Sequence, residues 1–359
     1  MGSLEDHECT SEGGATIRLE KTAPITATHF MFSYQFLLRQ SRRVLPTSTL
    51  PIRTLYNASF ETWRTTALQT ETRAIDEITK SPLNLLANTL DEPSVSFKHS
   101  ILPTTGTVVP ATWHHIYFPP RTVESDLASD GFENDFHPPE PFVERMWAGA
   151  RLEFNPVNPL RVGDEATMVT RVNRIETKQG GRLGDSVLVW LDKDIHNDQG
   201  WAVHEQRCLV YATSNQHASP RMIKARKPAS FSKTIQPSSI LLFRYSALTF
   251  NAHLIHYDYP YATTREHHPD RLVHGPLSGT LLMTLLRTHV SENLGQFDET
   301  RILSFDYRCL MPLYVDKPLT LCGRQVSKPD DDHLLFDLWI VDDDNNLAVK
   351  GNVIMSHKV

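Results

Sequence analysis

The spacing of apolar and polar positions divides the chain into unlike stretches. From Phe60 to about Leu90, Trp63, Leu68, Ile75 and Ile78 fall roughly on helical spacing and Pro82 punctuates the run, which predicts a mostly helical segment. Residues 119–141, "PPRTVESDLASDGFENDFHPPEP", are Pro-rich and acidic with little apolar periodicity. They read as an exposed loop that either shields an entrance or merely connects. Beyond this loop the pattern alternates, and it does so twice. The rhythm of "RLEFNPVNPLRVGDEATMVTRVNRIETK" and "SVLVWLDKDIHNDQGWAVHEQRCLVYAT" returns in "ILSFDYRCLMPLYVDKPLTLCGRQVSK" and "LLFDLWIVDDDNNLAVKGNVIMSHK". In each copy a strand precedes a Pro-Leu-x-Val-x-(Asp/Lys) turn, and a tight turn, "NDQG" or "DDNN", joins two alternating strands. Two long antiparallel sheets are implied. The second copy is preceded by "GPLSGTLLMTLLRTHVSENLG", apolar nearly all round, hence a helix wrapped by sheet rather than one lying on a surface.

A buried central helix in an antiparallel sheet, present twice, is an α+β double hotdog: two antiparallel sheets, each wrapping a central helix. The domains expected are an arm or targeting segment over 1–58, an N-terminal hotdog over 59–220 and a C-terminal hotdog over 225–359. A chain of 359 residues is long enough for two such domains. Residues 21–60 contain no Asp or Glu but carry Lys21, Arg39, Arg42, Arg43 and Arg53 among many Ser and Thr, the composition of a mitochondrial targeting peptide. The acidic "SLEDHECTSEGG" before it is atypical of such a peptide, so Met31 is a candidate start and a plain arm remains the other reading.

Charge and cysteines narrow the chemistry. With 36 Lys and Arg against 42 Asp and Glu, the formal charge of −6 offers no basic surface, and nucleic acid is not expected as a partner. Cys9, Cys208, Cys309 and Cys322 stand far apart without a C-x-x-C pair, so neither a disulfide framework nor a zinc site is expected. No apolar run reaches the roughly 18 residues of a membrane helix, so membrane insertion is not expected. The pairs His114/His115, His267/His268 and His253/His256 lack Cys or carboxylate at a recognised ligand spacing. Consecutive side chains diverge on a regular element, so no metal is expected. Dinucleotide, nucleotide and hydrolase-elbow motifs are absent.

The stretch 245–262, "YSALTFNAHLIHYDYPYA", resembles the motif of the MaoC-like enoyl-thioester hydratases, Y-x-x-L-(S/T)-G-D-x-N-P-(I/L)-H-x5-(A/S). Tyr245, Leu248, Thr249, Ile255, His256 and Ala262 match, while Phe250 stands for Gly, Asn251 for the catalytic Asp and His253 for Asn. Together with "TWHHIYF", "RMWAGARLEF", "PLRVGD" and "LVHGPL", these departures are similar to the hydroxyacyl-thioester dehydratase type 2 and mesaconyl-CoA hydratase-like branch, from about residue 60 onwards. The resemblance implies a cofactor-independent hydro-lyase in which 3-hydroxyacyl thioesters are dehydrated or 2-enoyl thioesters hydrated, carried by CoA or an acyl-carrier protein; a homodimer is the candidate assembly.

That chemistry needs a base for the Cα proton, an acid for the leaving hydroxyl and donors for the charge on the thioester oxygen. His256 is the expected acid/base, titrating near neutral pH when unperturbed. Asn251 carries no proton but offers a donor and an acceptor for water or hydroxyl. Gly275, at a helix start with free N–H groups, is expected to meet the carbonyl, and His253 to stand beside the substrate. The N-terminal copy has no Asn-x-x-x-x-His and is expected to be a scaffold whose vacant site leaves room for a long acyl chain or a bulky acid. The alternatives are a mesaconyl-type dicarboxylic substrate, an intermediate of specialised metabolism, or a silent thioester binder, the last resting on the missing Asp alone.

Overall fold

The computed structural model describes residues 52–181, 184–213, 222–295, 297–326 and 332–357; most of the expected targeting segment lies outside them. The described chain opens with α1 (Ile52–Gln69), β1 (Glu71–Glu77) and α2 (Lys80–Leu90). The predicted helical run is therefore cut in two by a strand. β1 pairs antiparallel along its whole length with β3 (Glu165–Gly181), and its exposed edge position leaves no apolar face to betray it: Ile75 is 61% exposed. Pro82 sits in the first turn of α2, where it costs no backbone hydrogen bond.

β2 (Phe142–Phe154), β4 (Gly184–Asn197) and β5 (Gly200–Thr213) complete the N-terminal half. The C-terminal half holds β6 (Phe231–Ile235), α3 (Ser239–Leu248), α4 (Gly275–Asn293), β7 (Ile302–Cys309), β8 (Leu319–Gln325), β9 (His333–Asp342) and β10 (Leu347–Ser356). The turns "NDQG" and "DDNN" join β4 to β5 and β9 to β10, as the sequence predicts. The two expected sheets are fused into one ten-stranded antiparallel sheet, ordered β1-β3-β4-β5-β2-β7-β10-β9-β8-β6. The junction is β2 on β7, which leaves neither half with an open edge there. At Gly149 a Cβ would lie 2.1 Å from the Tyr307 carbonyl oxygen, so only glycine lets the two backbones approach this closely.

Equivalent hydrogen bonds record the duplication. Val109 N–H donates to Leu160 O as Val273 N–H does to Leu313 O, each at 2.8 Å. Val162 N–H reaches Thr107 O as Val315 N–H reaches Arg271 O. The four apolar side chains of the Pro-Leu-x-Val turns, Leu160, Val162, Leu313 and Val315, are all buried. The fold is an α+β double hotdog, and one of its expected elements is cut short. α4 runs for 19 residues through the core, with Leu277, Leu282, Leu286 and Val290 fully buried. Its counterpart in the N-terminal half is the single 3-10 turn Trp113–Ile116. Phe118, with φ 55°, and Pro119 and Pro120 after it prevent any continuation.

Candidate active site

The segment between α3 and α4 carries three of the predicted residues, Asn251, His253 and His256. Ser238 caps α3 by accepting the Leu241 N–H at 3.1 Å. The chain leaves α3 through Thr249 and then reverses at Phe250, whose φ of 51° is the left-handed region that favours glycine. Asn251 follows, and its Oδ1 accepts the His253 N–H at 3.0 Å, closing an Asx turn. This fixes the amide, commits its acceptor to the backbone and leaves the Nδ2 donor available. A 3-10 turn, Leu254–His256, then presents the imidazole of His256.

Three histidines meet there. His256 Nδ1 lies 2.9 Å from the Leu272 carbonyl oxygen, which can only accept, so Nδ1 carries the proton and Nε2 keeps its lone pair. Its ring stacks on His274 with centroids 3.6 Å apart and stands edge-on to His253 at 5.6 Å. Burial pushes the His256 pKa down to about 4, with the Leu272 hydrogen bond opposing and the charge of Arg145 adding to the depression. His274 is buried, caps α4 by position and pairs its Nε2 with Ser246 Oγ at 2.8 Å. Burial also holds His253 and His274 well below the ordinary imidazole range, so the cluster is neutral at pH 7.

Gly275 is the first residue of α4, next in the chain to His274. Among the described residues no acceptor is bonded to its N–H, the ordinary condition of a helix N-terminus. A Cβ here would lie 2.4 Å from Cδ1 of Trp147, so the glycine is required by the indole as well as by any approaching ligand. In the other half the equivalent N–H, that of Ala111, is already taken: the Glu299 carboxylate accepts it at 2.9 Å, and Arg287 Nη2 donates to the Ala111 carbonyl at 2.8 Å. The N-terminal position is thus closed by an internal ion pair while the Gly275 position carries no such plug among the described residues.

The Pro-rich loop is not a bystander. Asp130 accepts the Leu254 N–H through its carbonyl at 2.8 Å, and its carboxylate meets His253 Nε2 at 3.3 Å and Arg145 Nη2 at 2.9 Å. His253, 8% exposed, therefore faces the loop and His256 together. A second polar group lies on the far side of Trp147. His114 and His115, expected to diverge, instead converge on Glu205, at 3.1 and 3.2 Å, because β5 inserts one carboxylate oxygen toward each ring. Arg207 pairs with both oxygens of Glu205, at 2.6 and 3.0 Å, so that carboxylate is committed to a guanidinium. The guanidinium also lies 5.2 Å from the Trp147 ring centre. A cavity of about 550 Å³ opens farther along α4, between Phe97, Val108, Arg287 and Phe297, and includes none of the four predicted residues.

Comparison with known proteins identifies the family. The hydroxyacyl-thioester dehydratase type 2 family matches residues 112–315, more than half of the chain. The chain belongs to that family. Mesaconyl-C(4)-CoA hydratase of Chloroflexus aurantiacus is 36% identical over 253 residues, covering 69% of this chain and 84% of the relative. The mitochondrial hydroxyacyl-thioester dehydratase type 2 of Schizosaccharomyces pombe is 26% identical over 266 residues, covering 67% and 85%. Among solved structures, a MaoC-like dehydratase aligns with a TM-score of 0.61 at 12% identity, over 81% of this chain and 99% of that one. Another, from Phytophthora capsici, gives 0.58 at 14%, over 82% and 98%. At such identities the two structures establish the shared fold alone.

As a member of the hydroxyacyl-thioester dehydratase type 2 family, the protein is a hydro-lyase. The structure brings His256, Asn251, His253 and Gly275 into one region. Sequence reasoning missed His274, Asp130, Arg145 and Trp147, although "LVHGPL" and "RMWAGARLEF" contain three of them and "ASDG" the fourth.

Proposed function

We propose that the protein catalyses the reversible dehydration of 3-hydroxyacyl thioesters and hydration of 2-enoyl thioesters, with the C-terminal hotdog as the catalytic half and the N-terminal one as scaffold. The observation that carries the assignment is the tautomer of His256: Nδ1 is spent on Leu272 O, so a neutral, partly buried imidazole offers Nε2 as a base. In the dehydration direction Nε2 takes the Cα proton. Charge then develops on the thioester oxygen, where the N–H of Gly275 and the α4 dipole oppose it. The Cβ–O bond breaks as the imidazolium returns its proton to the departing hydroxyl, which Asn251 Nδ2 holds by donation. A C–H and a C–OH bond are lost, a C=C bond is formed and water leaves. No cofactor enters the sequence.

Identity to the Chloroflexus relative supports a second, narrower reading, a mesaconyl-type dicarboxylic acyl-CoA as substrate. Loss of enoyl-thioester absorbance with mesaconyl-CoA and crotonyl-CoA separates the two. Hydration of crotonyl-CoA favours the general reading, and hydration of mesaconyl-CoA alone favours the narrower one. Failure with both, and with longer enoyl thioesters on CoA or acyl-carrier protein, contradicts either. A mitochondrial location is supported by the acid-free segment 21–60 and by the location of the Schizosaccharomyces relative.

A further inference from the structure

We infer that Asp130 is a positioning residue of this reaction, a carboxylate sent from the N-terminal half to hold His253 and the turn that carries His256. The inference rests on His256 being the acid/base. The segment 249–257 that forms the hydratase loop contains no Asp or Glu. The carboxylate nearest its imidazoles comes instead from the loop over residues 119–141, and that loop is built to deliver it. Gly131, at φ 83°, passes so close that a Cβ would sit 2.2 Å from the Ala252 carbonyl oxygen. Asp130 Oδ1 accepts the Phe132 N–H at 3.1 Å, which fixes the carboxylate on its own backbone, and Oδ2 is shared between Arg145 and His253. The Phe132 ring fills the corner, with the Arg145 guanidinium 3.6 Å above its centre and His253 edge-on at 5.9 Å. The Leu254 N–H on the Asp130 carbonyl ties the same point to the turn that ends at His256.

The charge has a definite effect. Arg145 depresses the proton affinity of both His253 and His256, and Asp130 is the carboxylate that directly opposes it. Glu144 on β2, Tyr211 on β5, Glu266 and Tyr261 on the turn after His256, Glu133, Asp135 and His137 in the loop, and His274 are the other titratable groups around this set. None of these carboxylates forms an ion pair with Arg145 among the described residues. Neutralising Asp130 therefore removes the one carboxylate that pairs directly with this guanidinium, leaving only the longer-range charges of Glu133 and Glu266 against it, and loosens the turn at once.

The test is the pH dependence of kcat for wild type, Asp130→Asn and Asp130→Glu on whichever of crotonyl-CoA and mesaconyl-CoA the wild type hydrates. Asp130→Asn is expected to lower kcat roughly ten- to a hundredfold with KM within about threefold. It is also expected to move the acid limb about one pH unit lower. Asp130→Glu, which keeps the charge, is expected to leave the limb within about half a unit of wild type. If Asp130→Asn does not fold, Gly131→Ala displaces the loop with the carboxylate retained, and the same loss of kcat is expected. A wild-type kcat, or an unmoved acid limb, in a folded Asp130→Asn protein overturns the inference, as does a wild-type kcat in Gly131→Ala. His256→Ala run alongside keeps the two ideas apart. An active wild type, a silent His256→Ala and a normal Asp130→Asn remove only the role of Asp130, whereas an unaffected His256→Ala removes the acid/base reading and this inference with it.

Discussion

The imidazole of His256 lies face to face with that of His274, ring centres 3.6 Å apart and planes 21° from parallel. Two stacked rings so placed cannot both hold a charge; His274 is buried and His256 partly so. Loss of solvent around the rings drives protonation to acid pH, about 4 for His256.

This has two measurable consequences. The hydration rate is expected to be nearly flat from about pH 6 to 8 and to fall as pH drops toward 4, where the base is consumed. Stability follows the same sign. The folded-state pKa of His256 and of His115 is depressed to about 4, and burial holds His253 and His274 well below the ordinary imidazole range. Between the unfolded value of about 6.5 and these folded values the unfolded chain binds more protons. The stability contribution is thus complete above about pH 6.5 and is lost as pH falls through 6.5 toward 4. Denaturant melts at pH 7.5, 6 and 5 check this, and equal midpoints would refute it.

Gly275→Ala places a methyl group against Trp147 Cδ1, at 2.4 Å before any relaxation. Because the indole packs beneath the first turn of α4, either the helix start or the ring must move. The expected result is a loss of turnover of about tenfold or more and a destabilisation on the order of 1–3 kcal/mol. Turnover and thermal unfolding of this one variant read both, and wild-type values for the two would remove Gly275 from the proposed oxyanion position.

Asn251→Asp keeps an acceptor for the His253 N–H but loses the Nδ2 donor and adds a charge to a neutral cluster. Asn251→Ala loses both hydrogen-bonding groups. Each is expected to cost on the order of 1–3 kcal/mol in transition-state stabilisation, that is about five- to 150-fold in turnover. The two are compared with wild type on one enoyl thioester. A silent wild type revived by Asp would mean that Asn251 marks a catalytically dead binder.

What the sequence disclosed depended on whether a residue's role has a period or a local motif. α4 was legible because it is apolar on every side, and the paired sheets because their turns repeat. β1 was not, since an edge strand with Ile75 exposed shows no apolar stripe. The short counterpart of α4 was obscured by the repeat itself, although Pro119 and Pro120 were there to be read as the reason. His256, Asn251 and Gly275 were legible as a local pattern. Phe250 illustrates the reverse: the resemblance calls for glycine, and the observed φ of 51° explains why, while the 62% exposure of its ring explains how phenylalanine is accommodated without a clash in the core. Asp130 could not be found this way, because a bond between two loops distant in sequence leaves no periodicity in either.

The central claim is that His256 moves the proton. It is tested most directly by the turnover of His256→Ala beside wild type on the same enoyl thioester, with near-UV circular dichroism to verify the fold. The expected result is a folded variant slower by roughly 10² to 10⁴, and a folded variant hydrating at the wild-type rate would contradict the account.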